Sequence, residues 1–134
     1  MARILVDTSA VYALLDRSDE WHDAAASALN GLREERVEPL LTNFIVAETH
    51  ALSLARLGPE IARNWLFANV WPVERVTLDD EIKAVEIIRQ YTDKTFSYTD
   101  ACSFAVMERL GLRRALAFDP HFRQYGLDIV GPPR

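Results

Sequence analysis

One cysteine, Cys102, stands alone in 134 residues, so no internal disulfide can form. That fits a reducing compartment. Glycine is scarce, at five residues, and no glycine-rich phosphate loop occurs. This argues against nucleotide binding of the P-loop or Rossmann type. No apolar run approaches the roughly 20 residues needed to span a bilayer. The N-terminal MARILVDTSA is too short and too interrupted for a signal peptide. The three histidines, His22, His50 and His121, form neither an HExxH nor a Cys/His metal pattern. They read as surface or packing residues. Repeats, low-complexity tracts and Gly/Ser linkers are absent as well. What remains is one cytoplasmic domain over residues 1–134 with no membrane segment.

A basic excess is also missing. Lys+Arg number 15 against 20 Asp+Glu, for a net charge of −5. Nonspecific nucleic-acid binders are usually basic. A polyanionic partner therefore requires bound cations or a local basic face. Arg17, Arg113, Arg114 and Arg123, at the expected ends of elements around a pocket, are the candidates for phosphate contacts.

The chain is 49% hydrophobic, enough for a real core. Ile4–Val6 reads as a buried strand, followed by a helix from Asp7 or Thr8 to about Leu15. A second helix is expected from near Glu20 to Arg36. EPLLTN reads as a strand, with Thr42 or Asn43 capping a helix over 44–57. Gly58 ends that helix and Pro59 opens another, which runs to near Trp71-Pro72. VERVTL is extended, DDEIKAVEIIRQY and TDACSFAVMERLG are helices, and RALAF and LDIVG are strands flanking DPHFRQYG. Alternating strands and helices predict an α/β fold with a central parallel sheet covered on both faces. In such sheets the ligand site lies at the carboxyl ends of the strands.

Four carboxylates bear on that site. Asp7 and Asp119 each follow an expected strand. Each also has a plain structural reading, Asp7 as a helix cap and Asp119 as the opening of an Asp-Pro turn. Asp100, three residues after Ser97, resembles a capping box. Glu48 differs, because helical spacing places it within the apolar arc of Phe44, Ala47, Ala51, Leu52 and Ala55, opposite Thr49, Ser53 and Arg56. An ionised carboxylate buried there needs a cation, a hydrogen-bond partner or a proton. Converging carboxylates repel one another, and a divalent cation removes that penalty; all-oxygen ligation suits Mg²⁺ or Mn²⁺. Such an ion activates water and offsets charge on a phosphate, which points to metal-dependent phosphate-ester chemistry.

The segments ILVDTSAV, NFIVAET, SYTDACSFAVM and ALAFDPHF resemble, in order and spacing, the PIN-domain ribonucleases, in particular the VapC-type toxins of toxin–antitoxin pairs. The resemblance spans nearly the whole chain. It implies a three-layer α/β/α sandwich and an acidic pocket holding Mg²⁺ or Mn²⁺ on Asp7, Glu48, Asp100 and Asp119. It implies RNA cleavage by metal-activated water, with Thr8, Ser9 and Thr99 positioning water or phosphate. It also implies a homodimer and an antitoxin protein that blocks the pocket. An additional acid that some members carry near Asp100 has no counterpart here.

Two other classes compete. An aspartyl phosphotransferase built on Asp7 would in one common form need a second acid two residues on, where Ser9 stands. A non-catalytic binding module would have no need of all four acids. The helix PEIARNWLFANVW is apolar around most of its circumference and calls for a second cover, from another subunit or a partner peptide.

Overall fold

Ile4, Leu5 and Val6 are fully buried, as a strand covered on both faces must be. They lie in β1 (Arg3–Val6), the middle strand of a five-stranded parallel sheet. The structure, a computed structural model, describes residues 2–131. The other strands are β2 (Glu38–Thr42), β3 (Val73–Glu74), β4 (Arg114–Leu116) and β5 (Asp128–Val130), in the order β3-β2-β1-β4-β5. Leu5 pairs with Leu40 on one side and Ala115 on the other.

Two helices, α1 (Thr8–Leu15) and α2 (His22–Glu34), join β1 to β2, and α3 (Asn43–Leu57) and α4 (Pro59–Ala68) join β2 to β3. The chain then reverses its direction of travel through α5 (Leu78–Gln90) and α6 (Tyr98–Leu110) to reach β4 on the far side of β1. Right-handed crossovers in opposite directions put the first four helices on one face and α5 and α6 on the other. The expected three-layer α/β/α sandwich results. The reversal also leaves a crevice between the carboxyl ends of β1 and β4, where ligands bind in open parallel sheets. Among the described residues no helix is long and apolar enough to cross a membrane.

Several element ends follow their local chemistry. Thr42 caps α3 by accepting from Ile45 N at 3.1 Å. Gly111 ends α6 in the left-handed conformation, with φ 69°, which glycine adopts without a Cβ penalty. Thr77 and Asp80 form a capping box on α5. Asp80 is also gripped by Arg109 of α6, through Nε to Oδ1 at 3.0 Å and Nη2 to Oδ2 at 2.9 Å. A fork of this kind both satisfies a buried carboxylate and fixes the angle between two helices.

Three expectations need correction. The helix α4 stops at Ala68 rather than near Trp71-Pro72, because Asn69 bonds to both Trp71 N and Trp71 O and turns the chain. The segment DPHFRQYG holds a short helix, α7 (His121–Tyr125), that its turn-like composition concealed. Packing secures it: Phe122 and Tyr125 lie against Phe104 of α6, with ring centroids 5.0 and 4.4 Å away. The third concerns α3. Its buried residues are Ile45, Thr49 and Ser53, while Ala47, Ala51 and Ala55 face outward. Small hydroxyl side chains turn inward where α3 packs against α1 and α4, and the alanine-rich arc read as core is surface.

Candidate active site

The strand β1 ends at Asp7, whose backbone N–H still donates to Leu116 O of β4 at 2.9 Å. Asp7 is therefore pinned at the crevice before its side chain is considered. That side chain both caps a helix and faces the crevice. Oδ2 accepts from Ser9 N at 3.3 Å and from Ser9 Oγ at 2.7 Å, capping α1. Oδ1 accepts from no protein N–H or O–H among the described residues, and the Asp119 carboxyl lies within hydrogen-bonding reach of the Asp7 carboxyl, a contact that a bound cation would replace.

Ser9 does more than serve Asp7. Its Oγ accepts from Phe118 N at 2.9 Å. The expected strand over RALAF ends at Leu116, although Ala117 N still donates to Val130 O. At Phe118 the Ser9 hydroxyl takes the place of a ladder partner, and the chain turns there. The turn delivers Asp119, whose Oδ1 accepts from His121 N at 2.9 Å and whose carboxyl meets that of Asp7.

Asp100 arrives from α6. The capping box is real: Ser97 Oγ accepts from Asp100 N at 3.0 Å, and Asp100 Oδ2 accepts from Ser97 N at 3.1 Å. Oδ2 also accepts from His121 Nδ1 at 2.7 Å. Asp100 thus spends one oxygen on the protein and keeps Oδ1, as Asp7 does. The cap readings of Asp7 and Asp100 are correct, and they coexist with convergence in one cleft of about 350 Å³. Asp7, Thr8, Ser9, Glu48, Asp100 and Asp119 all line it, together with Leu52, Ser97 and His121. Thr99, half-buried on α6, is not among the lining residues.

Glu48 belongs to this cleft for a different reason from the one its helical spacing gave. It projects from the exposed side of α3, so the burial penalty inferred for it does not arise. His121, read as a surface or packing residue, sits in the cleft. One ligand atom from each of Asp100, Asp119 and His121 lie within 4.8 Å of one another. The signal was present in FDPHF, where a turn closing a strand end carries the following side chain back over that end. His22 is a packing residue as expected, its Nδ1 2.7 Å from Ala13 O. Cys102 is buried.

Two of the arginines assigned to the pocket lie elsewhere. Arg114 opens β4 at the amino edge of the sheet and pairs with Glu35 at 3.8 Å. Arg113 donates to Gly126 O at 3.2 Å. Arg123 is near the acids, since it shares a neighbouring cavity with Asp119.

The electrostatics call for positive charge. Burial raises the Asp7 carboxyl well above its ordinary value, the nearby Asp119 raises it further, and the Ser9 bond opposes them in part. Burial also raises Asp100, with Asp119 adding to the shift while Ser97 N and His121 counter it. Beside them the Thr8 hydroxyl is buried without a partner, a costly condition unless something in the cleft takes it up. Hard oxygen donors, mutual repulsion and an unpaired hydroxyl together fit a small divalent cation such as Mg²⁺ or Mn²⁺. Asp7, Asp100 and Asp119 would hold it, with Glu48 directly or through water.

The sequence model of the PIN domain matches residues 4–127. The chain is 34% identical over 133 residues to the 23S rRNA-specific endonuclease VapC20 of Mycobacterium tuberculosis, covering 96% of this chain and 98% of that one. The crystal structure of M. tuberculosis VapC20, described as a Sarcin-Ricin loop cleaving toxin, superposes with a TM-score of 0.85 at 32% identity, covering 96% of this chain and 99% of the other. FitAcB from Neisseria gonorrhoeae shares the fold, with a TM-score of 0.72 at 18% identity over 96% of this chain and 97% of that one.

Proposed function

This chain belongs to the PIN-domain family, and from that premise we propose that it is a Mg²⁺- or Mn²⁺-dependent endoribonuclease, the toxin of a toxin–antitoxin pair acting in the cytoplasm. The observation that carries the reading is the meeting of Asp7, Glu48, Asp100 and Asp119 in one cleft at the switch point of the sheet. VapC20, by its name, acts on 23S rRNA, so ribosomal RNA is the first substrate to test.

A divalent ion bound here supplies a Lewis acid for the phosphate and lowers the pKa of water. The chain's own residues set the geometry. Ser9 and Ser97 each hold one oxygen of an aspartate and leave the other for the ion. His121 orients Asp100 through Nδ1. The Thr8 hydroxyl, which lines the cleft without a partner among the described residues, would bond a water or a phosphate oxygen. The cluster of carboxylates keeps RNA away until a cation reverses the local field, which reconciles a chain of net charge −5 with a polyanionic substrate.

Uncovered apolar surface supports the partners. Ala47, Ala51 and Leu54 of α3 face outward, and so does a stripe of Leu78, Ile82 and Val85 on α5. Tyr98 links the two helices, packing against Phe44 at 5.9 Å and donating to Glu81 at 2.7 Å. We assign this face to a second copy of the chain. Light scattering should give twice the 15.2 kDa chain mass for the wild type and the monomer mass for Ile82→Asp; a monomeric wild type defeats the assignment. A separate groove between α1 and α4, lined by Val11, Leu14, Trp65, Val70 and Trp71, suits an antitoxin segment. Val70 there is 88% exposed.

The deciding assay incubates a mixed RNA pool containing ribosomal RNA with wild type and Asp100→Asn, purified alike, in Mg²⁺, Mn²⁺ or EDTA. Cleavage by the wild type alone, abolished by EDTA, is expected. Equal cleavage by both proteins, or cleavage that persists in EDTA, defeats the reading.

A further inference from the structure

Across the Asp119–Pro120 turn from the acidic cleft lies a second cavity, of about 480 Å³. Its size falls in the range of small-molecule sites. Phe118, Asp119, Pro120, Arg123, Gln124 and Ile129 line it. Asp119 lines both cavities, so whatever fills the second begins next to the candidate metal ligands.

The chemistry of the lining is unlike that of the acidic cleft. Phe118, Pro120 and Ile129 offer apolar surface. Phe118 is itself held flat, stacked on Trp21 at 5.6 Å with an interplanar angle of 16°. Arg123 is exposed, and its side chain makes no ion pair or hydrogen bond among the described residues. An unpaired guanidinium beside apolar surface and an amide fits a nucleotide: phosphate on the fork, base against the rings, base edge toward Gln124. Arg109 and Arg114 are engaged elsewhere, the first by Asp80 and Glu74 and the second by Glu35.

We propose that this cavity binds a nucleotide of the RNA strand adjoining the scissile phosphate, with Arg123 on its phosphate and Phe118, Pro120 and Ile129 against its base. The proposal rests on the endoribonuclease reading. It makes the Asp119 turn a divider between the reacting phosphate and the neighbouring nucleotide.

The test measures binding of a single-stranded oligoribonucleotide that spans a mapped cleavage site, in the Asp100→Asn background, alongside cleavage by the otherwise wild-type chain. Adding Arg123→Ala is expected to weaken binding about tenfold and to lower the slope of log affinity against log salt by about 0.7. Arg123→Lys should recover much of the slope. Trimming the oligonucleotide from one end should erase the effect of Arg123→Ala at a single step, when the nucleotide that fills the cavity is removed. Unchanged affinity in Arg123→Ala, or the same loss at every length, overturns the subsite while wild-type cleavage leaves the nuclease reading standing. Unchanged RNA binding with weakened inhibition by the antitoxin would instead make the cavity a protein-docking site. If wild type cuts no RNA and binds none, both proposals fall.

Discussion

Asp7→Asn should melt at a higher temperature than the wild type in EDTA at neutral pH, and should cleave RNA at least about 100-fold more slowly in metal. The two effects have opposite signs because one carboxylate serves two ends. Burial and Asp119 raise the folded-state pKa of Asp7 above its ordinary 3.8. The folded protein therefore holds that proton more tightly than the unfolded chain does. Its contribution to stability is complete in acid and is lost as the pH climbs through the raised value. As the pH rises above the ordinary value the metal-free fold carries a growing cost for the charge. Asparagine keeps the cap on α1, being as good an N-cap as aspartate, and removes the charge. The gain should be roughly 1–3 kcal/mol, growing from about pH 4 upward and absent in acid. Melting curves in EDTA across that interval check it; a lower melting temperature for Asp7→Asn at neutral pH would falsify the electrostatic account.

Divalent metal should raise the melting temperature of the wild type by about 7–13 °C when its concentration is about 100 times the dissociation constant. Binding to the native state alone contributes about 2.7 kcal/mol at that ratio, and a domain of this size converts each kilocalorie into a few degrees. The rise should vanish in Asp119→Asn, which removes one of the carboxylates that converge on the cleft. It should persist in Asp93→Asn, since Asp93 is an exposed acid paired with Lys94 and does not line the cleft. A shift of equal size in all three proteins would mean that the ion acts elsewhere.

The architecture was legible because strands and helices alternate with clear punctuation: Pro59 opens α4, Gly111 ends α6, and the first strand is a bare apolar run. Asp7, Asp100 and Asp119 stand out by their places at element ends, and Glu48 by a helical spacing that the structure reads differently. What misled was phase. On α3 the composition favours an alanine-rich inner face, yet close packing against α1 and α4 draws Thr49 and Ser53 inward and leaves the alanines outside. Periodicity locates a stripe but does not say which neighbour will cover it. His121 and α7 escaped for a related reason. A five-residue helix has almost no local signal, and this one is held by Phe104, seventeen residues upstream of His121 and on another element. The cavity beside Asp119 likewise depends on contacts between β4, α7 and β5 that no local pattern reveals.

The Ser9 hydroxyl joins Asp7 to the backbone amide of Phe118, 109 positions after Ser9 in the chain. Synthesis proceeds from the amino end, so every residue up to Phe118 must be made before that bond has both partners. Until β4 docks beside β1 and α7 seats against α6, Asp7 faces no opposing carboxylate and Asp100 lacks its histidine. A growing chain, or one cut short before Asp119, therefore has no assembled cleft. For the endoribonuclease proposed above, the dependence of the cleft on β4 and α7 would keep the nascent chain inactive until those two elements have been made and docked.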